Sequence, residues 1–584
     1  MMLQKDDAVA VLKEIGTLLR LSGENEFRAM AFDRAARTLE NLETDLNQYI
    51  ENQTLTDLKG IGKSIAEDLY TYAETGSIPV RDKLKGQVPK ELFQWMNISG
   101  MGPKKIYKIH HALGITELSE LKEKCEDGSV ASLPGMGKKS AEKILKSIEW
   151  MEQFADRCRL DEATDIAGVF FENLEKCEGV QQISVAGSLR RYKETIGDID
   201  ILVAAEKDKT TPIMNQFVSE ESVVDILGQG DTKSSVRTEE GRQVDLRIVE
   251  PAYFGAALMY FTGSKEHNVA MRRRARAKKL QLNEYGLYYQ NDNSQADFSR
   301  PLSTQTEADI YRHLGLGYIP PELREDYGEF DLAENGTGPA LVTQADLKGI
   351  LHAHSTWSDG RNTIREMAEA CMARGYQYLS ITDHSRSAAY AGGLSIDQIR
   401  EQWKEIDDLN DEFARDGKSF YLLKGIESDI LQDGSLDYPD DLLKTFDLVI
   451  GSVHSGLEQP PEKMLERLKK AAAHPHIHII GHPTGRLLLR RDGNKVDVNE
   501  LIPFAAEHQT AIEINANPRR LDLDWRYGRK ARQVGMMSAV CPDAHTTAGL
   551  DHVSYGIGTA RKAGFEAGHI LNSYSLDELK AWLK

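Results

Sequence analysis

The sequence predicts a multidomain chain: an all-α N-terminal region, a mixed α/β body, and a C-terminal β/α barrel. Three observations carry that expectation. Residues 1–150 space their apolar positions at three and four (Val9, Leu12, Ile15, Leu18, Leu19), residues 160–320 change to alternating strand patterns, and from Lys348 short apolar strands alternate with helices. A chain of 584 residues is also too long for one ordinary core and should divide into units of roughly 100–200 residues.

Composition removes several classes of function. Lysine plus arginine number 72 against 91 acids, a net charge of −19, which favours solubility and argues against generic polyanion binding, although a basic stripe can sit on an acidic chain. The five cysteines (Cys125, Cys158, Cys177, Cys371, Cys541) lie far apart with no CxxC pair, as expected for reduced thiols. The opening "MMLQKDDAVAVLKEIG" has acids where a signal peptide needs a basic flank, and no apolar run approaches the ~20 residues of a membrane span. The expectation is a cytoplasmic protein without membrane contact.

In the helical region three similar turns recur: "LKGIGKSIAEDL", "ISGMGPKKIYKI" and "LPGMGKKSAEKIL". Each is an apolar residue, a G-x-G hairpin (Gly60 and Gly62, Gly100 and Gly102, Gly135 and Gly137) and an amphipathic helix. The glycines let backbone come close to a ligand, and the helix start presents free N–H groups to an anion. The third copy adds Lys138, Lys139, Lys143 and Lys146 against Glu142 alone. The repeat resembles the helix-hairpin-helix motif, which implies sequence-independent binding of DNA backbone.

The α/β body carries "AGSLRRYKETIGDIDIL". On a strand, Asp198 and Asp200 share one face while Ile199 and Ile201 take the other. Two carboxylates so close repel unless a cation joins them, and oxygen ligands of this kind suit Mg²⁺. Asp245 in "RQVDLRIV" is a third candidate, and three aspartates can hold two ions about 3.5–4 Å apart. Gly187, Ser188 and Arg191 supply a turn, a hydroxyl and a cation for phosphate oxygens. "MRRRARAKK" sets six cations in nine residues of an expected helix, an electrostatic track for a phosphate backbone.

With "GSLRR" followed by "GDIDI", and with "YFTGSKEHNVAMRRRARAKK" and "YIPPELRED" downstream, residues 1–325 resemble the bacterial-type family X DNA polymerases, which are polymerase beta-like. The resemblance implies a nucleotidyltransferase palm with a thumb. It implies that Asp198, Asp200 and Asp245 are catalytic metal ligands, with Asp245 on the side of the primer hydroxyl, holding Mg²⁺ or Mn²⁺. Ser188, Arg191, Gly197 and Gly263 match positions that hold the triphosphate, and Tyr260 and Phe261 match the segment that excludes a ribose 2′-hydroxyl. Asn268 and Arg272 match minor-groove contacts to the nascent pair and template. Two departures stand out. Asp68 occupies the position of the deoxyribose-phosphate lyase lysine, and a carboxylate forms no Schiff base, while Lys63 lies on another helical face. Lys265 replaces an aspartate near the incoming nucleotide, an added cation expected to tighten nucleotide binding before DNA arrives.

Twelve of the sixteen histidines follow Gly349. Polar groups end seven apolar strands: His352 and His354 in "GILHAHS", Asp383 and His384 in "YLSITDHS", Glu427 in "YLLKGIESDI", His454 in "LVIGSVHS", His482 in "IHIIGHPTGR", Glu513 and Asn515 in "AIEINANP", Asp543 and His545 in "SAVCPDAH". In a β/α barrel the carboxyl ends of the strands meet at one mouth, so these residues converge. Histidine and carboxylate without thiolate suit Zn²⁺, Mn²⁺ or Fe²⁺.

Residues 348–584 thereby resemble the PHP (polymerase and histidinol phosphatase) domain. That resemblance implies a distorted (β/α)7 barrel with three divalent ions hydrolysing phosphoesters. Its nine ligand positions correspond to His352, His354, Asp359, His384, Glu427, His454, His482, Asp543 and His545, with Glu427 bridging two ions. Asp383, Glu513 and Asn515 are expected behind the ligands, and Arg486 and Arg519 as candidate phosphate clamps.

The expected divisions are 1–85 (a small helical domain with the first hairpin), 86–155 (a fingers-like helical domain with the other two), 156–257 (palm), 258–325 (thumb-like), 326–347 (linker) and 348–584 (PHP). The expected function is monomeric gap-filling DNA synthesis from dNTPs in DNA repair, with a 3′→5′ exonuclease that could extend to cutting at abasic sites or removing 3′-phosphates. The alternatives are a barrel acting as a small-molecule phosphatase, and a polymerase half reduced to a non-catalytic DNA-end scaffold.

Overall fold

The computed structural model describes residues 3–584 apart from 41, 43, 97, 99, 154–155, 292–294 and 335–337. Ser99 of the second glycine turn and part of the expected linker therefore lie outside the described residues. The chain forms two compact units, 1–155 and 156–584. Among the described residues no helix is long and apolar enough to cross a membrane.

The first unit is helical throughout its described residues. The amphipathic repeat of Lys5–Leu21 buries Leu12, Ile15, Leu18 and Leu19 in a core shared with Trp95, Ile106 and Ile148. Each glycine turn is built the same way. The first glycine takes a positive φ (Gly60 110°, Gly100 80°, Gly135 72°), a conformation costly to other residues, and the second immediately precedes a helix: Lys63–Thr75, Pro103–Leu113 or Lys138–Gln153. A Cβ on Gly62, Gly102 or Gly137 would meet nothing within 4 Å, so the protein's own packing does not demand these glycines.

The second unit opens with a five-stranded sheet, in order Gln182–Val185, Asp198–Ala204, Gln243–Val249, Lys233–Thr238, Val223–Gln229. Alternation works as the sequence predicts: Ile199, Ile201 and Val203 join Val244, Leu246 and Ile248 in a core beneath the helices Leu160–Glu175 and Thr210–Val218. The two central strands are parallel, with Asp200 directly opposite Asp245. Beyond the sheet come the helices Phe254–Thr262, Lys265–Ala277 and Glu307–His313 and a three-stranded antiparallel sheet. Two expected boundaries, 85/86 and 257/258, fall inside the helices Pro79–Gln87 and Phe254–Thr262.

The expected linker is in part structure. Helix Glu329–Ala333 puts Phe330 and Ala333 into the thumb core with Met271 and Tyr311, and Leu341 joins them. Its glycine and asparagine content had masked these apolar positions. Glu329 is buried because it ends a polar chain: its carboxylate lies 2.8 Å from His267 Nδ1, and His267 Nε2 lies 2.9 Å from the Tyr311 hydroxyl. Beside it, Glu307 accepts from both Arg190 and Arg324, an ion triad that joins palm to thumb.

Seven parallel strands then follow in strict sequence order, from Gly349–Ile350 to Ser538–Cys541. The circle is nearly closed by a bridge between Ala353 and Ala544, where His354 N donates to the Ala544 carbonyl at 2.8 Å. Leu351, Tyr378, Leu448, Ile479 and Cys541 fill the interior together with Leu571 and Leu579 from the C-terminal segment. Helices cover the outside over a second apolar layer. Palm and barrel meet at Glu194, which accepts from Trp525 Nε1 and Arg526.

Candidate functional site

In the palm, strand pairing alone sets Asp198, Asp200 and Asp245 on one face. The short helix Gly187–Arg190 crosses above Asp200 so closely that a Cβ on Gly187 would stand 2.0 Å from Asp200 Oδ2. Glycine is required there, and it also carries a positive φ of 58°. Burial, with Asp198 and Asp245 alongside, pushes the Asp200 carboxyl up to about 7. Asp245 is steadied by Gln243 Nε2 at 2.8 Å and Lys233 Nζ at 3.3 Å. Three crowded carboxylates facing one ammonium are a donor set that fits divalent cations.

Above the aspartates opens a cleft of about 370 Å³, lined by Ser188, Arg191, Asp198, Asp200, Tyr260, Phe261, Gly263, Lys265, Asn268 and Arg272, among others. Sequence reasoning thus brought together nearly all its candidates. Asp245 lines the adjoining pocket with Lys233, Arg247 and Phe261. Gly197 does not line the cleft; it lies beside Arg157, whose Nη1 would be 3.4 Å from an added Cβ. Arg247 sits over the Phe261 ring at 4.5 Å, and Phe261 meets Tyr260 edge to face. Asn268 donates to the Tyr260 carbonyl at 2.7 Å, bracing the end of that helix.

At the barrel mouth all nine expected ligands converge. Glu427, buried on Tyr421–Asp429, is the hub: Nε2 of His352, His354, His454 and His482 lies 3.6, 3.7, 3.4 and 3.2 Å from its oxygens. His384 Nδ1 comes to 2.8 Å of Glu427, yet neither atom has hydrogen-bond geometry. Three overlapping groups could each hold an ion: His354, Asp359, His384 and His545; His352, His354 and Asp543; His384, Glu427 and His454. The buried His352 Nε2, His354 Nδ1 and both Glu427 oxygens lack hydrogen-bond partners, which is costly unless a cation takes their lone pairs. The residues present therefore fit a multinuclear metal centre.

The protonation tendencies agree with crowding. Burial and the neighbouring His545 and His384 push His354 down to about 3. His352, although burial opposes it, is carried well above its ordinary value by Glu513, Asp543 and Glu427. Groups pulled so far apart by one another are eased when a metal replaces the protons.

Behind the ligands, Glu513 accepts from or shares a proton with His352 Nδ1 at 2.6 Å and accepts from His482 N, while Asn515 Nδ2 donates to Asp543 at 3.1 Å. Asp383 faces away, accepting from Ser355, Ser358 and Gln402, and so shapes the loop carrying Asp359. Sequence reading passed over Asp429, 2.6 Å from His454 Nδ1; two residues past Glu427 on one strand, it shares that strand's face, and alternation alone could have found it. Arg486 is not positioned as a clamp. Its guanidinium is taken up by Asp524 at 2.6 Å and by the carbonyls of Arg520 and Leu521. Arg519 is exposed, and Arg520 Nε lies 4.0 Å from Asp543.

A palm with a carboxylate triad and a histidine-rich barrel thus place in one chain two donor sets that fit divalent cations. Family models match in the same arrangement: a helix-hairpin-helix domain at 4–78, a SAM-like helix-hairpin-helix tandem at 95–149, DNA polymerase beta palm at 157–251, DNA polymerase beta thumb at 257–325, and PHP domain at 351–517. The DNA polymerase/3′-5′ exonuclease PolX of Bacillus subtilis is 38% identical over the whole of both chains. The chain belongs to that family, the family X DNA polymerases that carry a PHP domain. DNA polymerase lambda of Rattus norvegicus is 25% identical over 52% of this chain and 53% of its own. A probable phosphatase of Thermoanaerobacter sp. is 26% identical over 41% of this chain and 96% of its own.

Proposed function

We propose that the protein is a DNA-directed DNA polymerase that fills short gaps during repair, and that its barrel is a 3′→5′ exonuclease on the same DNA. The observation that carries this is that one chain holds three aspartates on one sheet face at a cleft and its adjoining pocket, and gathers histidines and carboxylates around Glu427 at the mouth of a barrel. The full-length likeness to a polymerase/exonuclease supports both halves, and the intact triad and ligand set weigh against an inert scaffold.

Mg²⁺ or Mn²⁺ held by Asp198, Asp200 and Asp245, and Mn²⁺, Zn²⁺ or Fe²⁺ held by the barrel ligands, would supply charge neutralisation at the phosphate under attack. The chain's own residues do the rest. Asp245, steadied by Gln243, lies on the side of the primer hydroxyl. Ser188, Arg191, Gly263 and Lys265 receive the triphosphate, whereas Gly197, outside the cleft, is given no part in it; Lys265 raises nucleotide affinity before DNA binds, and equal affinity in Lys265→Asp would refute that role. Tyr260 and Phe261, fixed against each other and under Arg247, crowd a 2′-hydroxyl. Asn268 and Arg272 touch the nascent pair and template. The open space at Gly62, Gly102 and Gly137, with Lys138 and Lys139, suits gripping of DNA phosphates.

In the barrel, Glu513 and Asp429 orient His352 and His454. The Thermoanaerobacter likeness favours one added reading, removal of a 3′-phosphate from the primer end. The protein would act as a cytoplasmic monomer, which gel filtration at its 65.4 kDa mass checks. The decisive experiment offers a one-nucleotide gapped duplex with a labelled 3′ end, with or without a 3′-phosphate, in Mg²⁺ and then Mn²⁺. Extension should disappear in Asp198→Ala and survive in His352→Ala, and shortening should follow the reverse pattern. Two variants that both behave like the parent would overturn the assignments.

A further inference from the structure

The barrel supports residues behind the palm cleft through one buried cation. Its helix Val553–Lys562 lies against the palm, where Gly558 makes room for Tyr192: an added Cβ would stand 1.9 Å from the ring. At the end of this helix the Lys562 side chain is 0% exposed. Nζ donates to Glu325 Oε1 at 2.7 Å, to the Arg191 carbonyl at 2.9 Å and to the Glu322 carbonyl at 3.0 Å. An ammonium has three N–H donors, so all are used. The Trp525 ring covers it at 4.6 Å.

Those three acceptors all belong to the polymerase half. Glu325 Oε1 also accepts from Arg191 Nε at 3.1 Å, and Arg191 Nη1 donates to the Thr262 carbonyl. Arg191 is thus held at its backbone oxygen, its Nε and its Nη1, while its Nη2 makes no hydrogen bond among the described residues and the residue lines the cleft. Burying an ammonium is costly unless it is fully paired, so a lysine spent on ordering Arg191 and Glu325 is not a packing convenience.

We infer that Lys562, supplied by the barrel, is a positioning residue of the polymerase site: through Glu325 it holds Arg191 in the pose that receives the incoming nucleotide's triphosphate. This rests on the reading of the palm cleft as a dNTP site. The barrel is then a structural part of the polymerase as well as a second enzyme.

The test compares full-length parent, Lys562→Met, Glu325→Gln and the double variant on a gapped duplex, measuring kcat and KM for dNTP, duplex affinity, and shortening of the primer in the same preparations. Lys562→Met should raise KM about tenfold with kcat changed less than about twofold, since a charge-assisted bond is lost but no reacting group is touched. Shortening and duplex affinity should stay at parent level, and the double variant should be no worse than the more severe single one. An unchanged KM in folded Lys562→Met overturns the inference. If that variant fails to fold, judged by a lowered thermal transition and loss of both activities, Glu325→Gln decides, and a parental KM there overturns it. A parent that does not extend the primer at all would instead sink the dNTP reading, and this inference with it.

Discussion

The palm cleft and the barrel mouth both gather charge, but they solve its burial differently. In the palm and thumb the buried ions pair among themselves, as Glu307 does with Arg190 and Arg324, and the unpaired acids are left at an open cleft. In the barrel the acids behind the ligands pair with imidazoles, but the central Glu427 carboxylate, with five histidines around it, has no hydrogen-bond partner on either oxygen. The lesson concerns where metal belongs. A three-carboxylate cleft can hold ions that arrive and leave with the nucleotide, whereas a nine-donor centre needs its ions to be at rest.

The largest expected effect tests that contrast directly. Glu427→Gln should cost shortening activity on the order of 10³-fold, from loss of several kcal/mol of metal-borne stabilisation, while extension stays within about twofold. The contrast would break if the metal-free protein also lost stability, because the substitution removes a poorly satisfied buried charge; thermal unfolding in chelator reads this.

Glu307→Gln should do the opposite. Although burial opposes ionisation, Arg324 and Arg190 hold Glu307 down at about 2, so its folded pKa lies below its unfolded one. Its contribution, about 3 kcal/mol, is complete above about pH 4.5 and is lost as pH falls through about 2. Urea unfolding of parent and variant should therefore differ by about that amount at pH 7 and converge in acid. Equal stability at neutral pH would show the triad to be ornamental.

Glu513→Gln should lower barrel metal affinity and shortening about 10–100-fold, since it keeps shape but weakens the hold on His352. Metal content after gel filtration checks this. The smallest effect is expected at Lys233→Ala in the palm. Its side chain is 51% exposed, so its ion pair with Asp245 is worth little and extension should change less than about threefold. A large loss there would mean that the palm, too, depends on a fixed charge partner.

Much of both sites was legible because each rests on a short-range rule. Period-two alternation puts Asp198 and Asp200 on one face, and the convergence of parallel strand ends brings His352 to the neighbourhood of Asp543. What escaped depends on contacts that no local pattern encodes. Lys562 meets Arg191 across 371 positions. Arg486 looked available until the loop 517–524 folded its carbonyls around it. Phe330 and Ala333 were hidden in a segment whose composition reads as linker. Asp429 is the exception, for the alternation that placed Glu427 applies equally to it.

The bridge between Ala353 and Ala544 carries a final consequence. It is the seam of the barrel, and its two edges are the segments 352–354 and 543–545, which bear His352, His354, Asp543 and His545. An ion taken by His352, His354 and Asp543 would cross-link the first strand to the last, acting as a rivet on the one line where the wall has almost no ladder. Opening the barrel and emptying the centre would then be a single event, so the lifetime of the folded domain and the residence time of its metal would be one clock.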